Sequence, residues 1–480
     1  MKKIKFVFIF ILTFVLICGA LPLAACEISA RLEDLKFTLI NNDTEYEVSR
    51  GNKYFTMVSI PSQYKGLPVT SIGACGFEMP YLTKLWIPDS IKNIGNSAFR
   101  LCEKLTSIRI PDSVTTIGQY AFAQCRGLTY IKIPDSVENL GNSVFYGCSS
   151  LTHITIPDTI TSIGINMFME CSSLTSIIIP DNVTIIGSHA FFGCSSLTSI
   201  IIPDNVKSID DWAFYYCTGL ESIIIPDNVT SIGDLAFTGC SGLTGITIPN
   251  NVKSIGQKAF SECTALTDIT ISESVTSIGV NAFENTAIWN NTPNNNLVYA
   301  DKWVLGYKGL LSGSLILAPD TIGISDNAFY GCSGLTSVII LESLIIIGSF
   351  AFFDCSGLTS ITIPSNIKSI RNRAFVGCPD LTMYAETITI SYPNEWYPWG
   401  YGQRPTIWGC TLSDDKTYVV SFIKTESSVE SRYVQNLISA PYRNGYNFGG
   451  WATVIDGEKV YEAADINDAT NGTTLYAIWV

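Results

Sequence analysis

The amino-acid sequence predicts a mainly β solenoid of 23-residue repeats followed by a small, separate β module, and three observations carry that reading. A phenylalanine returns every 23 residues at Phe99, Phe122, Phe145, Phe168, Phe191, Phe214, Phe237, Phe260 and Phe283, and again at Phe329, Phe352 and Phe375. A cysteine keeps step three residues later, from Cys102 to Cys263 and then at Cys332, Cys355 and Cys378. The composition changes, and the period is lost, from about Asp415. A fixed period of this length marks a stacked-repeat architecture, in which each unit buries its apolar face only against its neighbours. The product is a ladder with a long exposed face, a shape suited to binding more than to catalysis.

Taken in chain order, the first element is a processing signal. Lys2, Lys3 and Lys5 precede an apolar run from Phe6 to Leu16, and Leu23, Ala24 and Ala25 stand directly before Cys26. The Ala24-Ala25-Cys26 step resembles the lipobox of bacterial lipoproteins, which implies cleavage after residue 25 and a lipid on Cys26. The alternative is an ordinary secretory signal cut after Ala25. Either reading makes residues 1–25 a signal peptide and the mature chain exported. A retained membrane helix is disfavoured because the charged stretch from Glu27 to Lys36 follows at once.

The net charge of -13 becomes -16 once residues 1–25, with three lysines and no acids, are removed. An acidic chain without a basic run repels phosphate backbones, so nucleic acid is excluded as a partner. A charged fraction of 15% beside 47% hydrophobic residues also excludes disorder.

Residues 26–60 hold the anchor position and an N-terminal cap, a hairpin of Phe37–Ile40 and Tyr46–Val48 around Asn41, Asn42 and Asp43. Residues 61–383 are the solenoid. In the coil beginning at Cys194, Leu197, Ile200 and Ile202 alternate with Ser199 and Ile201, which reads as a short parallel strand with Ile200 and Ile202 inward. Pro203 ends the strand, Asp204 suits the turn, and Val206–Ile209 is a second extended piece. The glycine that follows in most repeats, as at Gly187 and Gly233, is expected to take a positive backbone angle. The Ala-Phe pair closes the coil, with the ring inside.

The Leu-x-x-Ile-x-Ile strand followed by Pro-Asp-x-Val-x-x-Ile-Gly-x-x-Ala-Phe-x-x-Cys resembles the BspA-type leucine-rich repeat over roughly residues 55–383. The resemblance implies a right-handed leucine-rich-repeat solenoid on a bacterial surface, adhesin activity toward host matrix proteins or other microbes, and no catalytic residues. Further on, Gly449-Gly450-Trp451 and Leu475-Tyr476-Ala477-Ile478-Trp479 are similar to the InlB-type B-repeat, also called the Listeria-Bacteroides repeat. This resemblance implies a small β-grasp-like module at residues 415–480. Between the two lies an aromatic and proline-rich stretch, residues 384–414, read as a C-terminal cap and linker.

One interruption stands in the run. Residues 284–328 span two periods without the usual cysteine and hold Trp289, Tyr299, Trp303 and Tyr307, with a hairpin expected from Leu297–Tyr299 and Trp303–Leu305. A local bend or shelf is expected there.

Three constellations invite chemistry. The cysteine ladder is expected to be buried thiols, since strands about 4.8 Å apart hold stacked β-carbons beyond disulfide reach. No tight Cys-x-x-Cys pair offers a metal site, and the 13 cysteines left after Cys18 and Cys26 are an odd number. The aspartates Asp89, Asp112, Asp135, Asp158, Asp181, Asp204 and Asp227 follow the strand prolines and read as turn residues instead of calcium ligands. The two histidines, His153 and His189, have no recognisable nucleophile, so no catalytic, cofactor or metal residue is assigned.

Specificity is expected on the outward strand rows. One row runs through Arg109, Lys132, Thr155, Ile178, Ile201, Ile224, Thr247 and Thr270, the other through Tyr130, His153, Ser176, Ser199, Ser222 and Asp268. The candidate ligand-binding residues are Arg109, Tyr130, Lys132, Ile178, Ile201 and Ile224, together with Trp289 and Trp303 of the insertion. The expected function is a non-catalytic, lipid-anchored adhesin. Its expected partners are a host matrix or cell-surface protein, a glycan or a neighbouring microbe, with the membrane reached through Cys26. The alternative is a structural spacer presenting the C-terminal module, since about 13 periods at about 4.8 Å would make a rod of roughly 60 Å.

Overall fold

The computed structural model describes residues 29–364 and 366–385, and beyond these the strand segments 406–408, 410–412, 418–421, 448–452 and 474–479; side chains are described as far as 381. Cys26 and the apolar run at 6–16 lie outside the described residues. The chain divides into two compact units, residues 1–226 and 227–480. The regular elements of the described part are nearly all strand, a β-solenoid of the leucine-rich-repeat kind, and among the described residues no helix is long and apolar enough to cross a membrane.

The first unit opens with an antiparallel hairpin, Lys36–Ile40 against Glu45–Ser49. Its second strand pairs in parallel with Leu67–Ile72, and the ladder continues through Asn93–Ile94, Thr116–Ile117 and Asn139–Leu140. The hairpin thus covers the first coil while heading the parallel sheet. A second column of short strands carries the outward rows, as in Tyr130–Lys132 beside His153–Thr155 and Ser199–Ile200 beside Ser222–Ile223.

The interior of each coil is built as the period requires. Phe77, Phe99, Phe122, Phe145, Phe168, Phe191 and Phe214 are fully buried, and successive rings stack at 5.2–6.0 Å within 20° of parallel. Among the residues whose side chains are described, the cysteines are free and, apart from the partly buried Cys332 and the off-register, exposed Cys75, buried. They do more than fill space. Most of the buried thiols donate to the carbonyl of a phenylalanine one coil back, as Cys125 to Phe99 (3.1 Å), Cys148 to Phe122 (3.2 Å) and Cys194 to Phe168 (3.2 Å). A buried carbonyl left bare is costly, and a weak S–H donor of alanine-to-valine size satisfies it without adding charge. Burial pushes the Cys148 thiol up to about 12, so it stays protonated and unreactive.

The recurrent glycine does something other than expected. Gly187 and Gly118 are not in the positive-φ region; instead a β-carbon on Gly118 would stand 2.6 Å from the backbone nitrogen of Asn96, and one on Gly187 3.0 Å from the carbonyl of Ile163. These glycines let one coil approach the next. Positive φ falls two residues later, on ordinary residues such as His189 (58°) and Trp212 (62°), and again just before the cysteine, as at Gly193 and Tyr216.

The turn after the strand is held by a side chain that reaches back one coil. Ser113 and Ser136 donate to the carbonyls of Ile91 and Val114, and further along Asn182 and Asn205 do the same to Asp158 and Asp181. The neighbouring aspartates from Asp89 to Asp227 point into solvent. Among the described residues no group of His, Cys, Asp and Glu could hold a metal ion.

The second unit repeats the scheme with Phe237, Phe260 and Phe283 stacked at 5.2–5.3 Å, and Phe329, Phe352 and Phe375 stacked at 5.1–5.3 Å. Between the two stacks the insertion forms a hairpin, Asn296–Ala300 against Trp303–Lys308, preceded by a short helix, Ala287–Asn291, that the sequence reading did not anticipate. Thr286 caps the helix by accepting from the Trp289 amide, and Lys308 donates to the carbonyls of Trp289, Asn290 and Thr292 at its end. Parallel pairing resumes at Trp303↔Gly323. The second column, which starts at Ser312–Ile316, runs past residue 383 through Thr382–Ala385 to Thr406–Trp408 in the register Met383↔Thr406, so that ladder extends one strand into the stretch read as a cap. The last strands, Cys410–Leu412, Tyr418–Ser421, Thr474–Trp479 and Phe448–Ala452, form an antiparallel sheet in that spatial order.

Asp326 and Arg371 lie beside the insertion. Asp326 accepts from the Ser349 amide (2.7 Å), and Arg371 donates to the Thr276 carbonyl (2.9 Å). Burial raises the Asp326 carboxyl above its usual 3.8, against the opposing pull of the Ser349 amide and Arg371. An acid whose folded pKa is raised favours the folded state while protonated; that stability is lost as pH climbs through the raised value and stays lost above it. Asp326→Asn keeps the acceptor for Ser349 and removes the ionisation. The variant should therefore unfold at higher urea than the parent near neutral pH, and the two curves should converge at about pH 3.

Candidate functional site

The outward strand rows of the first unit form a flat surface because residues two apart on a strand share a face and parallel pairing stacks equal registers side by side. Tyr130 pairs with His153 and Lys132 with Thr155, while Ile178 pairs with Ile201. Ile178, Ile201 and Ile224 are 83%, 82% and 81% exposed, although Ile177, Ile200 and Ile223 beside them are buried. The chain therefore spends three isoleucines on solvent in consecutive coils. Apolar surface that is contiguous in this way commonly marks an interaction site.

The same row turns polar toward lower residue numbers. Thr155 and Lys132 are exposed, and Arg109 lies 3.3 Å from Asp89 in an open ion pair. A shallow groove of about 380 Å³ joins the two outward rows, lined by Tyr130, His153, Thr155, Ser176 and Ile178. His153 contributes an imidazole nitrogen 3.1 Å from the Thr152 hydroxyl. Arg109, Tyr130, Lys132 and the three isoleucines thus lie on one face, with cations at one end and apolar side chains at the other. The arrangement offers contact and charge, without a buried nucleophile or base.

Trp303 is not part of any surface. It is 1% exposed, and its indole lies over Gly323, where a β-carbon would come within 2.5 Å of the ring. The sequence placed it on a hairpin and took an aromatic there as a contact residue; the hairpin strand instead feeds the parallel sheet, so its alternate side chains enter the core. Trp289 is half-buried on the short helix, its ring packed toward Gly306.

Two surface features escaped the sequence reading. Trp86, exposed on the strand Lys84–Trp86, stands one register before Arg109 on the same row, and its number, 23 lower, was the available signal. On the turns, His189 stacks on Trp212 (5.4 Å, 5°) and Phe192 on Tyr215 (4.8 Å, 19°), pairs that are again 23 residues apart. The Ser188 hydroxyl is 2.7 Å from a His189 ring nitrogen, and partial burial holds the imidazole below its usual value despite the nearby Asp211. His189 is thus an aromatic of a surface stack.

Comparison with known proteins agrees with this architecture. A family model described as the BspA type leucine rich repeat region matches residues 70–198, 184–308 and 314–394, and one described as the Listeria-Bacteroides repeat domain matches residues 414–478. A leucine-rich repeat protein from Bacteroides ovatus is 30% identical with a TM-score of 0.50, covering 79% of this chain and 92% of that one. A leucine rich cell surface protein from Faecalibacterium prausnitzii is 29% identical with a TM-score of 0.34, covering 75% and 89%. A leucine rich repeat protein of T. pallidum is 29% identical with a TM-score of 0.34, covering 45% and 90%. No curated protein matches.

Removing a buried indole leaves a cavity, so Trp303→Ala should cost about 3–5 kcal/mol in a urea titration, and Trp289→Ala clearly less. Loss of binding by Trp303→Ala should track its loss of fold.

Proposed function

Because the chain belongs to the BspA-type leucine-rich repeat family, we propose that it is a non-catalytic surface protein that binds a protein or glycan ligand along the outward rows of its solenoid, as an adhesin. The observation that carries this reading is the strip of Ile178, Ile201 and Ile224, three side chains more than four-fifths exposed where polar residues would serve the fold equally well. The ligand lies across this strip and the adjoining groove toward Tyr130, Lys132 and Arg109. Apolar contact supplies the centre of the interface, and the two cations attract acidic groups on the ligand at its rim.

Export fits both the signal at residues 1–25 and the likeness to the leucine rich cell surface protein of Faecalibacterium prausnitzii. The Ala24-Ala25-Cys26 step makes a lipid on Cys26 the anchor, leaving the repeats facing outward.

Replacing Ile178, Ile201 and Ile224 together by threonine tests the reading. Each site is exposed, so stability should change by less than about 0.5 kcal/mol per position. Capture of immobilised matrix proteins or mucin glycans, measured by surface plasmon resonance, should fall at least about tenfold. Undiminished capture by the triple variant would place the ligand elsewhere.

A further inference from the structure

The insertion interrupts the strand column of the second unit and leaves one strand with a single neighbour. Ser312–Ile316 pairs in parallel with Gly334–Ile339 and heads its sheet; among the described residues the other side of this strand carries no hydrogen bond. In regular coils that side is occupied. Thr267 donates its amide to Thr244 (3.1 Å) and Thr359 to Thr336 (3.3 Å), each one coil back. Gly313 holds the equivalent register before Thr336, and a β-carbon built on it would meet no atom within 4 Å.

The strand on the far side of the interruption is treated differently. At Asp268–Ile271, the Ile271 amide donates to the Asp301 carboxylate (2.9 Å), Lys302 pairs with Glu273 (2.9 Å), and the Ile288 amide donates to the Leu266 carbonyl (3.0 Å). That edge is closed by the hairpin turn and the short helix. Free edges in soluble proteins are usually blunted by lysine, proline or other charge, because a row of open backbone groups templates a further strand. Between Lys308 and Asp320 this chain has no charged residue, and no proline before Pro319.

We propose that the open edge of Ser312–Ile316 is a docking site for an extended segment of a partner polypeptide, which adds to the sheet as its next strand. Backbone groups repeated along an edge are complementary to another extended backbone and to little else. The bulge at Gly313 leaves Ser314 to Ile316 as the straight part of the edge, which ends where the Ala318 amide donates to the Tyr299 hydroxyl (2.9 Å). The side chains then set the sequence preferred. On the outward face Ile316 (65% exposed) and Ile339 (48%) lie side by side, and Leu310 is 92% exposed at the strand's entrance. An added strand would place a residue directly beside Ile316, where a β-branched or aromatic side chain makes the best cross-strand pair. The segment recognised is therefore uncharged and β-forming over about four residues. This site is separate from the isoleucine strip of the first unit.

The test uses the full chain and a synthetic peptide of alternating valine and threonine with one lysine at each end. In the free protein those amides of residues 312–317 that point away from Gly334–Ile339 should exchange rapidly with deuterium, and saturating peptide should slow them at least about tenfold. Ile316→Lys, at an exposed position, should abolish the protection and the peptide's fluorescence anisotropy change; Leu310→Lys should weaken both. The threonine triple variant of the isoleucine strip should behave as the parent, which keeps this result independent of the proposed adhesin face. The proposal is overturned if the amides are already protected in dilute free protein, since another segment of the chain then covers the edge. It is equally overturned if protection grows with protein concentration alone, since a second copy is then the occupant, or if Ile316→Lys binds the peptide like the parent.

Discussion

The structure depends on one constraint: each coil satisfies its backbone hydrogen bonds on the coils before and after it, at a spacing of 23 residues. A coil this short has almost no internal ladder. Its amides go to the preceding coil, as Gly118 to Ile94 and Gly141 to Ile117, to the following one, as Phe122 to Val144, or close a tight turn, as Cys125 to Phe122. Because an unpaired buried backbone group is expensive, any change of register in one coil is felt in its neighbours. That requirement fixes what may vary. The glycine that permits close approach, the phenylalanine whose ring stacks on the next, and the cysteine that donates to the phenylalanine carbonyl are all consequences of holding two backbones at strand spacing.

The same constraint frees the outside. Nothing in the ladder specifies the outward residues of a strand beyond their suiting a flat sheet, so Arg109, Lys132, Thr155 and Ile178 can succeed one another in a single row without altering the core. The surface is therefore a string of independently chosen side chains on a rigid spacing. Such a scaffold can match an extended ligand by substitution alone, a property general to stacked repeats. The aromatic stack of His189, Phe192, Trp212 and Tyr215 shows the same freedom on the turns: side chains that share a register across coils meet whether or not they belong to the fold.

Where the period fails, the coil-to-coil requirement must be met by other means, and the insertion does so unevenly. Asp301 supplies a carboxylate where a backbone carbonyl would have stood, Lys308 caps the helix carbonyls, and Trp303 occupies the core. Asp326 accepts from the Ser349 amide as Asp234 does from the Gln257 amide in a regular coil, and Arg371 reaches the Thr276 carbonyl. Among the described residues one strand edge is closed by these substitutes and the next is left open, an asymmetry with no counterpart in the regular coils.

The sequence by itself determined the period, the inward residues and the outward rows, because each of these depends only on spacing: a residue's register decides its neighbours 23 positions away. Buried cysteines and exposed isoleucines could be read in this way from Cys194 and Ile201 alone. Tertiary structure decided what spacing does not encode. Gly187 could be read as a turn residue or as a site of close approach, and only the position of Ile163 on the neighbouring coil chooses between them. Trp303 looked like a surface aromatic on a hairpin until the pairing with Gly323 showed which way its strand faces. The short helix and the strand at Thr406–Trp408 were likewise invisible, since one replaces the repeat and the other continues it without the phenylalanine and cysteine that mark it. A repeat announces its own geometry because every coil repeats the same contacts; an interruption makes each contact once, and a contact made once leaves no period to read.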